Sequence, residues 1–173
     1  FGDGTGIPES GNSVPDLLDE ARWELEWMRK MIRPDGAVYH KVTCANFCGM
    51  IPPQQEREET VVSPVSTTAT GDFAGTFALA SRVFAPFDPA FAAACLDAAR
   101  RTYAFLRLSP PLPFHNPADI ATGEYDDNCD LDERFFAASS LFSATGERAY
   151  LDDAAALWSV ELPVSLGWEE MAG

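Results

Sequence analysis

Apolar residues recur with the 3.6-residue period of an α-helix over several stretches of this chain. The first stretch follows Ser13, which we expect to cap a helix that has Pro15 in its first turn. Acidic residues come early in this helix and basic residues come late, as the helix macrodipole favours. We expect Trp23 and Trp27, four residues apart, to pack against a neighbouring helix. The predicted apolar face consists of Leu17, Leu18, Ala21, Leu25 and Met28.

A different pattern follows the turn at Pro34, Asp35 and Gly36. Residues 37–43 alternate between apolar and polar side chains, which predicts a short exposed strand or ribbon. Residues 44–64 have no such period, and we expect them to form a long loop. Loops of this length in compact domains are usually functional or lie across a binding face.

The remaining sequence contains two helix–turn–helix patterns, over residues 68–106 and 130–158. The second repeats the first, because Phe77 and Phe84 correspond to Phe135 and Phe142. One face of these helices is rich in Ala, Ser and Gly, which lets helices approach closely. The sequence therefore predicts an all-α fold of about five helices in a solenoid or toroid, with a short ribbon and long loop near residues 37–64.

The charge and composition exclude several classes of protein. A net charge of −15 leaves no basic stripe for nucleic acid, and it disfavours anionic membrane surfaces as well. No apolar run is long enough to span a bilayer. The chain opens without Met or a signal peptide, in a Gly/Pro loop, and stops where a new helix starts. We therefore expect both ends to continue in a longer protein.

Acidic side chains are concentrated between Glu124 and Glu133, just before the last helical pattern. Asp130 and Glu133 have the spacing of a capping box, in which each side chain bonds a free backbone N–H at a helix start. Asp132 would lie in the first turn, where the helix dipole favours negative charge. A helix start therefore explains part of this cluster.

A cation site is the second explanation for these acids. Calcium takes six to eight oxygen ligands from carboxylates, hydroxyls and backbone carbonyls. Thr122, Asp126 or Asp127, Asp132 and Glu133 offer such oxygens. A capped, solvated helix start and a calcium site both remain open from the residues alone. An acid/base pair is disfavoured, because adjacent carboxylates on a helix point in different directions and do not face one cleft.

The cysteines are Cys44, Cys48, Cys95 and Cys129, and their spacing matches no disulfide framework. His40, Cys44 and Cys48 are spaced so that they could supply three of the four ligands of zinc. An ordinary loop with two thiols or one local disulfide is the simpler interpretation. We therefore do not expect zinc within this segment.

Several long motifs resemble the catalytic domain of glycoside hydrolase family 9. They are "DGTGIPESGNSVPDLLDEARWELEWMRKM", "DGAVYHKVT", "SPVSTTATGDFAG" and "YDD" followed by "DERFFAASSLFSATGERAYL", in the order of the family. The resemblance implies an (α/α)6 barrel and the inverting hydrolysis of β-1,4-glucan by a secreted enzyme. Residues 1–173 would be a partial catalytic domain that the rest of the barrel completes.

The resemblance also implies roles for particular residues. In the family, an Asp pair in an Asp-Ala-Gly-Asp motif activates water and a distant Glu acts as acid. This chain contains no such motif, so we expect no catalytic residue within it and no activity from it alone. The family's calcium site carries over to Thr122, Gly123, Asp132, Glu133 and Glu169, with Asp126 and Asp127 as further acids.

Two alternatives to this hypothesis differ in function. One is a self-standing helical repeat protein that binds calcium or a partner without catalysis. The other is a family member that acts on glucosamine-containing chains, which the negative charge would suit.

Overall fold

The computed structural model describes residues 2–125 and 127–158. Within this part of the chain the structure is mainly helical, as predicted. Its helices are α1 (Asp16–Met28), α2 (Thr67–Phe84), α3 (Pro89–Leu108), α4 (Leu131–Thr145) and α5 (Arg148–Leu157). Its short strands are β1 (Val38–Tyr39), β2 (Val42–Cys44), β3 (Thr60–Val62) and β4 (Val65–Ser66).

Helix α2 lies at the centre of the fold because it packs against both α3 and α4. Its side chains Phe73, Phe77 and Phe84 are almost completely buried, so they form the middle of the core. Helices α4 and α5 form the second predicted hairpin. The two hairpins therefore lie side by side, with α2 and α4 in one layer and α3 and α5 behind them.

A close contact between α2 and α4 depends on small residues, as their Ala/Ser/Gly-rich faces predict. A β-carbon at Gly75 would lie 2.3 Å from Cδ1 of Phe136, so only glycine fits at this distance. One turn earlier, Gly71 faces Glu133. Contacts advance in the same direction along both helices, so α2 and α4 run parallel. Their N-terminal ends, and the loops that precede them, consequently meet at one end of the fold.

The start of α1 differs from the prediction. Ser13 has a φ of 72° and lies before the N-cap position, which Pro15 occupies without a side-chain cap. Asp16 instead accepts hydrogen bonds from the hydroxyls of Thr5 and Ser10, at 2.7 and 3.0 Å. The preceding loop therefore stabilises this helix end in place of a Ser13 cap.

The predicted packing of the two tryptophans of α1 is also wrong within the described residues. Trp23 is 78% exposed and Trp27 is 41% exposed. Both line an open groove of about 520 Å³, to which α3 contributes Ala94 and Ala98.

The ribbon is formed by two antiparallel strand pairs, β1 with β4 and β2 with β3. Its first part is not exposed as predicted, because Val38 is buried and its N–H donates to the Thr70 hydroxyl of α2 at 3.1 Å. The predicted loop of residues 44–64 is shorter than expected, because Thr60–Val62 within it forms β3 and pairs with β2. In residues 2–125 and 127–158, no helix combines the length and apolar character needed to cross a bilayer.

Candidate cation site

Three of the predicted ligand residues meet at the N-terminal end of α4. Oxygens of Asp127, Asp132 and Glu133 lie within 4.8 Å of one another. Asp127 belongs to the loop before the helix, and the other two residues are in its first turn. Side chains of Asp132 and Glu133 are buried, with 5% and 3% exposure. The arrangement offers several carboxylate oxygens to one small volume.

A fourth carboxylate, Asp72 of α2, lies beside this trio and was missed in the sequence. Its neighbour Gly71 lies against Glu133, and a β-carbon at Gly71 would be 2.6 Å from the Glu133 Cβ. This contact brings Asp72 close to the start of α4. In the sequence, Asp72 could have been noticed as the single acidic residue of a helix whose other residues are mainly small or apolar.

The electrostatics of the cluster favour a cation. Burial is the main cause that raises the pKa of Glu133 to about 10, and the charges of Asp132, Asp72 and Asp127 make smaller contributions. Burial likewise raises the pKa of Asp72 to about 7, with smaller contributions from Asp132 and Asp127. Each group is destabilised as an anion mainly because burial removes it from water, and also because its nearest charges are negative.

Unpaired oxygens point to the same conclusion. Oδ1 of Asp72 and Oε2 of Glu133 are buried and have no hydrogen-bond partner among the described residues. A buried carboxylate oxygen without a partner is costly, and coordination to a metal is one of the ways in which proteins offset that cost. Carboxylates are the ligands that calcium prefers. The donor set therefore fits calcium.

Asp130 has a different role from the predicted capping box. It occupies the N-cap position of α4, but its side chain makes no capping hydrogen bond. Its carboxylate accepts a hydrogen bond from Arg134 at 2.9 Å. Arg134 also donates to the carbonyls of Leu106 and Ser109, at 2.6 and 3.0 Å. Asp130 therefore pairs with Arg134 and not with a backbone N–H of the helix start. Through its other hydrogen bonds, Arg134 links the start of α4 to the end of α3.

The predicted ligands Thr122 and Gly123 belong to the loop before α4. The Thr122 hydroxyl lies 2.7 Å from that of Thr43, and its carbonyl accepts from Asn116 Nδ2 at 2.7 Å. The Gly123 carbonyl accepts a hydrogen bond from the ammonium group of Lys41. The hydrogen bonds from Asn116 and Lys41 fix where these two carbonyls lie. The role of Thr122 and Gly123 as calcium ligands stays a prediction.

Two ribbon residues hold the same loop. His40 stacks on Phe114 with ring centroids 4.0 Å apart, and its Nε2 lies 2.9 Å from the Tyr125 carbonyl. A carbonyl only accepts, so Nε2 carries the proton and Nδ1 accepts from the Ser66 hydroxyl at 2.9 Å. Burial lowers the pKa of His40 accordingly. Tyr125 has a φ of 56°, an uncommon conformation that this hydrogen bond helps to hold.

Glu124, another acid of the cluster, is not aimed at the trio. Its carboxylate accepts from the Asn116 N–H at 2.9 Å and from His115 Nδ1 at 3.2 Å. The Asn116 hydrogen bond is the largest cause of a lowered Glu124 pKa. Asp126 and Glu169, both predicted ligands, lie outside the described residues.

Comparison with known proteins assigns the family. The sequence profile of glycosyl hydrolase family 9 matches residues 5–173. The chain belongs to glycosyl hydrolase family 9. Its mostly helical structure agrees with the (α/α)6 barrels of that family, which confirms the predicted fold class.

Individual relatives support the assignment. Endoglucanase D of Acetivibrio thermocellus is 40% identical over 171 residues, which is 96% of this chain and 27% of the relative. A xyloglucan-specific endo-β-1,4-glucanase of Bacteroides ovatus is 41% identical over 160 residues, 86% of this chain and 27% of the relative. The crystal structure of a metagenome-derived family 9 endoglucanase has a TM-score of 0.91 and 44% identity, and covers 99% of this chain. The match spans 32% of that structure, so this chain is about a third of its length.

Proposed function

We propose that the intact protein is an endo-acting β-1,4-glucanase, and that this chain forms part of its cleft wall without the catalytic carboxylates. The observation that carries the proposal is the match over 96% of the chain to an endoglucanase at 40% identity. The parallel helices α2 and α4 present their N-terminal loops at one end of the fold. The resemblance implies that the Asp pair and the acid Glu belong to other parts of the barrel.

Calcium is the proposed structural cofactor. Asp127, Asp132 and Glu133 would hold it, with Thr122 and Gly123 as the further ligands that the family resemblance implies. When bound, calcium supplies the positive charge that these buried carboxylates lack. Residues of the chain itself position the loop before α4, because His40 and Lys41 hold that loop against the ribbon. We also propose that the enzyme is secreted, as the family resemblance implies.

Hydrolysis assays test the proposed activity. The intact protein should release reducing sugar from carboxymethylcellulose and lower its viscosity early, because cuts within chains shorten polymers quickly. Starch, an α-1,4-glucan, is the control substrate and should not be cut. Residues 1–173 expressed alone should release nothing.

Either of two results would contradict the proposal. Turnover by residues 1–173 alone would place the catalytic carboxylates within this chain. Failure of the intact, folded protein to cut any β-1,4-glucan would exclude the substrate class.

A further inference from the structure

The cation trio has a neighbour on the adjacent helix, Asp72, to which the family resemblance gives no role. Asp72 follows Gly71, whose Cα lies against Glu133, so the helix contact itself fixes Asp72 beside the first turn of α4. The charges that act on Asp72 are those of Asp132 and Asp127. An acid held here by close helix packing therefore adds negative charge to a place that already has three carboxylates.

In the described part of the chain, one oxygen of the Asp72 carboxylate lacks the hydrogen-bond donor that a buried structural acid usually has. Its Oδ1 is buried and lacks a hydrogen-bond partner among the described residues. Glu133, which faces the same volume, is 3% exposed and also has an oxygen without a partner there. Two unpartnered carboxylate oxygens on two helices point to a shared positive ligand.

The distances separate direct ligands from indirect ones. Calcium–oxygen distances are about 2.3–2.6 Å, so oxygens on opposite sides of one ion are about 5 Å apart. Asp127, Asp132 and Glu133 meet this condition, with their oxygens within 4.8 Å. Asp72 is not a member of that group.

We propose that Asp72 is a positioning residue of the calcium site, whose carboxylate accepts a hydrogen bond from a water ligand of the ion. The inference rests on the proposed calcium site. The bound ion then joins α2 to α4, because one helix supplies direct ligands and the other orients the coordinated water. Carboxylates that orient ligands in this way change metal affinity by about 10–100-fold when removed.

Calcium titration of the intact protein tests this role. The variants are Asp72→Asn, which keeps the shape of the side chain, and Asp72→Glu, which keeps the charge. Asp97→Asn is the matched control, because Asp97 is an exposed acid on α3. Affinity is measured by calorimetry after removal of calcium, and melting temperature is measured with chelator and with saturating calcium.

We expect Asp72→Asn to weaken calcium binding by about 10–100-fold, and Asp72→Glu to recover part of that loss. The control Asp97→Asn should bind as the wild type does. In chelator, Asp72→Asn should melt no lower than the wild type, because the substitution removes repulsion. A merely structural acid would give the opposite sign, with lower melting and unchanged affinity.

The outcomes separate this inference from the site on which it rests. If the wild type binds calcium and Asp72→Asn binds it equally well, the role of Asp72 is wrong and the site stands. If the wild type binds no calcium, the site and the inference both fail. If Asp97→Asn weakened calcium binding as much as Asp72→Asn does, the loss would be an effect of net charge alone, and the proposed role of Asp72 would be overturned.

Discussion

Gly71 and Glu133 are in direct backbone contact across the α2–α4 interface. A β-carbon at Gly71 would lie 2.6 Å from the Glu133 Cβ and 3.0 Å from its backbone carbonyl carbon. Backbone atoms cannot move aside as a flexible side chain can. The separation of the two helices at the cation site is therefore set by the absence of a side chain at Gly71.

The first prediction concerns this contact. Gly71→Ala should lower the free energy of unfolding by about 1–3 kcal/mol, the usual cost of overpacking a well-packed interface. It should also reduce the stabilisation by calcium, because Asp72 and Glu133 move apart. Urea denaturation of the intact protein, with and without calcium, measures both effects.

Gly4→Ala is the control for helix spacing. No atom lies within 4 Å of a β-carbon placed at Gly4, and its backbone is not in the left-handed region. We expect its free energy of unfolding to change by less than about 0.5 kcal/mol. Equal effects of the two substitutions would contradict the importance of the Gly71 contact.

The second prediction is a pH dependence in the absence of calcium. Burial raises the pKa of Glu133 from 4.5 to about 10. Between these values the folded protein holds a proton that the unfolded chain has released, so stability falls as pH rises. The free energy of unfolding in chelator should fall from pH 7 to pH 9, by at most about 1.4 kcal/mol per pH unit for one proton.

Glu133→Gln serves as the control for this slope, because glutamine does not titrate. The variant should lose the part of the slope that belongs to Glu133, while His40 stays silent because its pKa is lowered from 6.5. Saturating calcium should also flatten the wild-type slope, since the ion stabilises the ionised carboxylate. The same slope in wild type and variant would show that Glu133 is ionised when folded.

A third prediction compares two ion pairs of identical sequence spacing. Arg134 and Asp130 are 13% and 3% exposed, whereas Arg148 and Asp152 are 80% and 59% exposed. Arg134→Met should cost about 3–5 kcal/mol, because it leaves Asp130 buried without its partner. Arg148→Met should cost about 0–1 kcal/mol. Thermal or chemical denaturation measures the difference, and similar losses would refute the role of Arg134 as the necessary partner of buried Asp130.

Part of this structure was predictable from the sequence, because helical periodicity is a local property. The five α-helices of the described residues and the repetition of the helical hairpin follow from the spacing of residues such as Phe77 and Phe135. The trio of acids was also found, since Asp127, Asp132 and Glu133 lie within one short segment. Because these residues are close in sequence, their carboxylate oxygens also come together in the structure.

Features that depend on partners distant in sequence were not predictable in this way. Asp72 joins the acids only because α2 and α4 pack side by side. The capping box failed because Arg134 offers Asp130 a stronger, charged donor. Trp23 satisfies the helical pattern but lies on a side of α1 that the described residues leave open. Periodicity gives the face of a helix, but only the packing gives its neighbours.

The ribbon and the loop before α4 have a further consequence for motion. His40 reaches Tyr125 and Lys41 reaches Gly123 across 85 and 82 residues of sequence, respectively. As long as these two hydrogen bonds are intact, neither the ribbon nor the loop before α4 can unfold locally without the other. We therefore expect the amide hydrogens of β1 and of residues 122–125 to exchange together, as one cooperative unit of local unfolding. The loop that carries Thr122 and Gly123, two of the proposed calcium ligands, would then open and close with the edge of the ribbon.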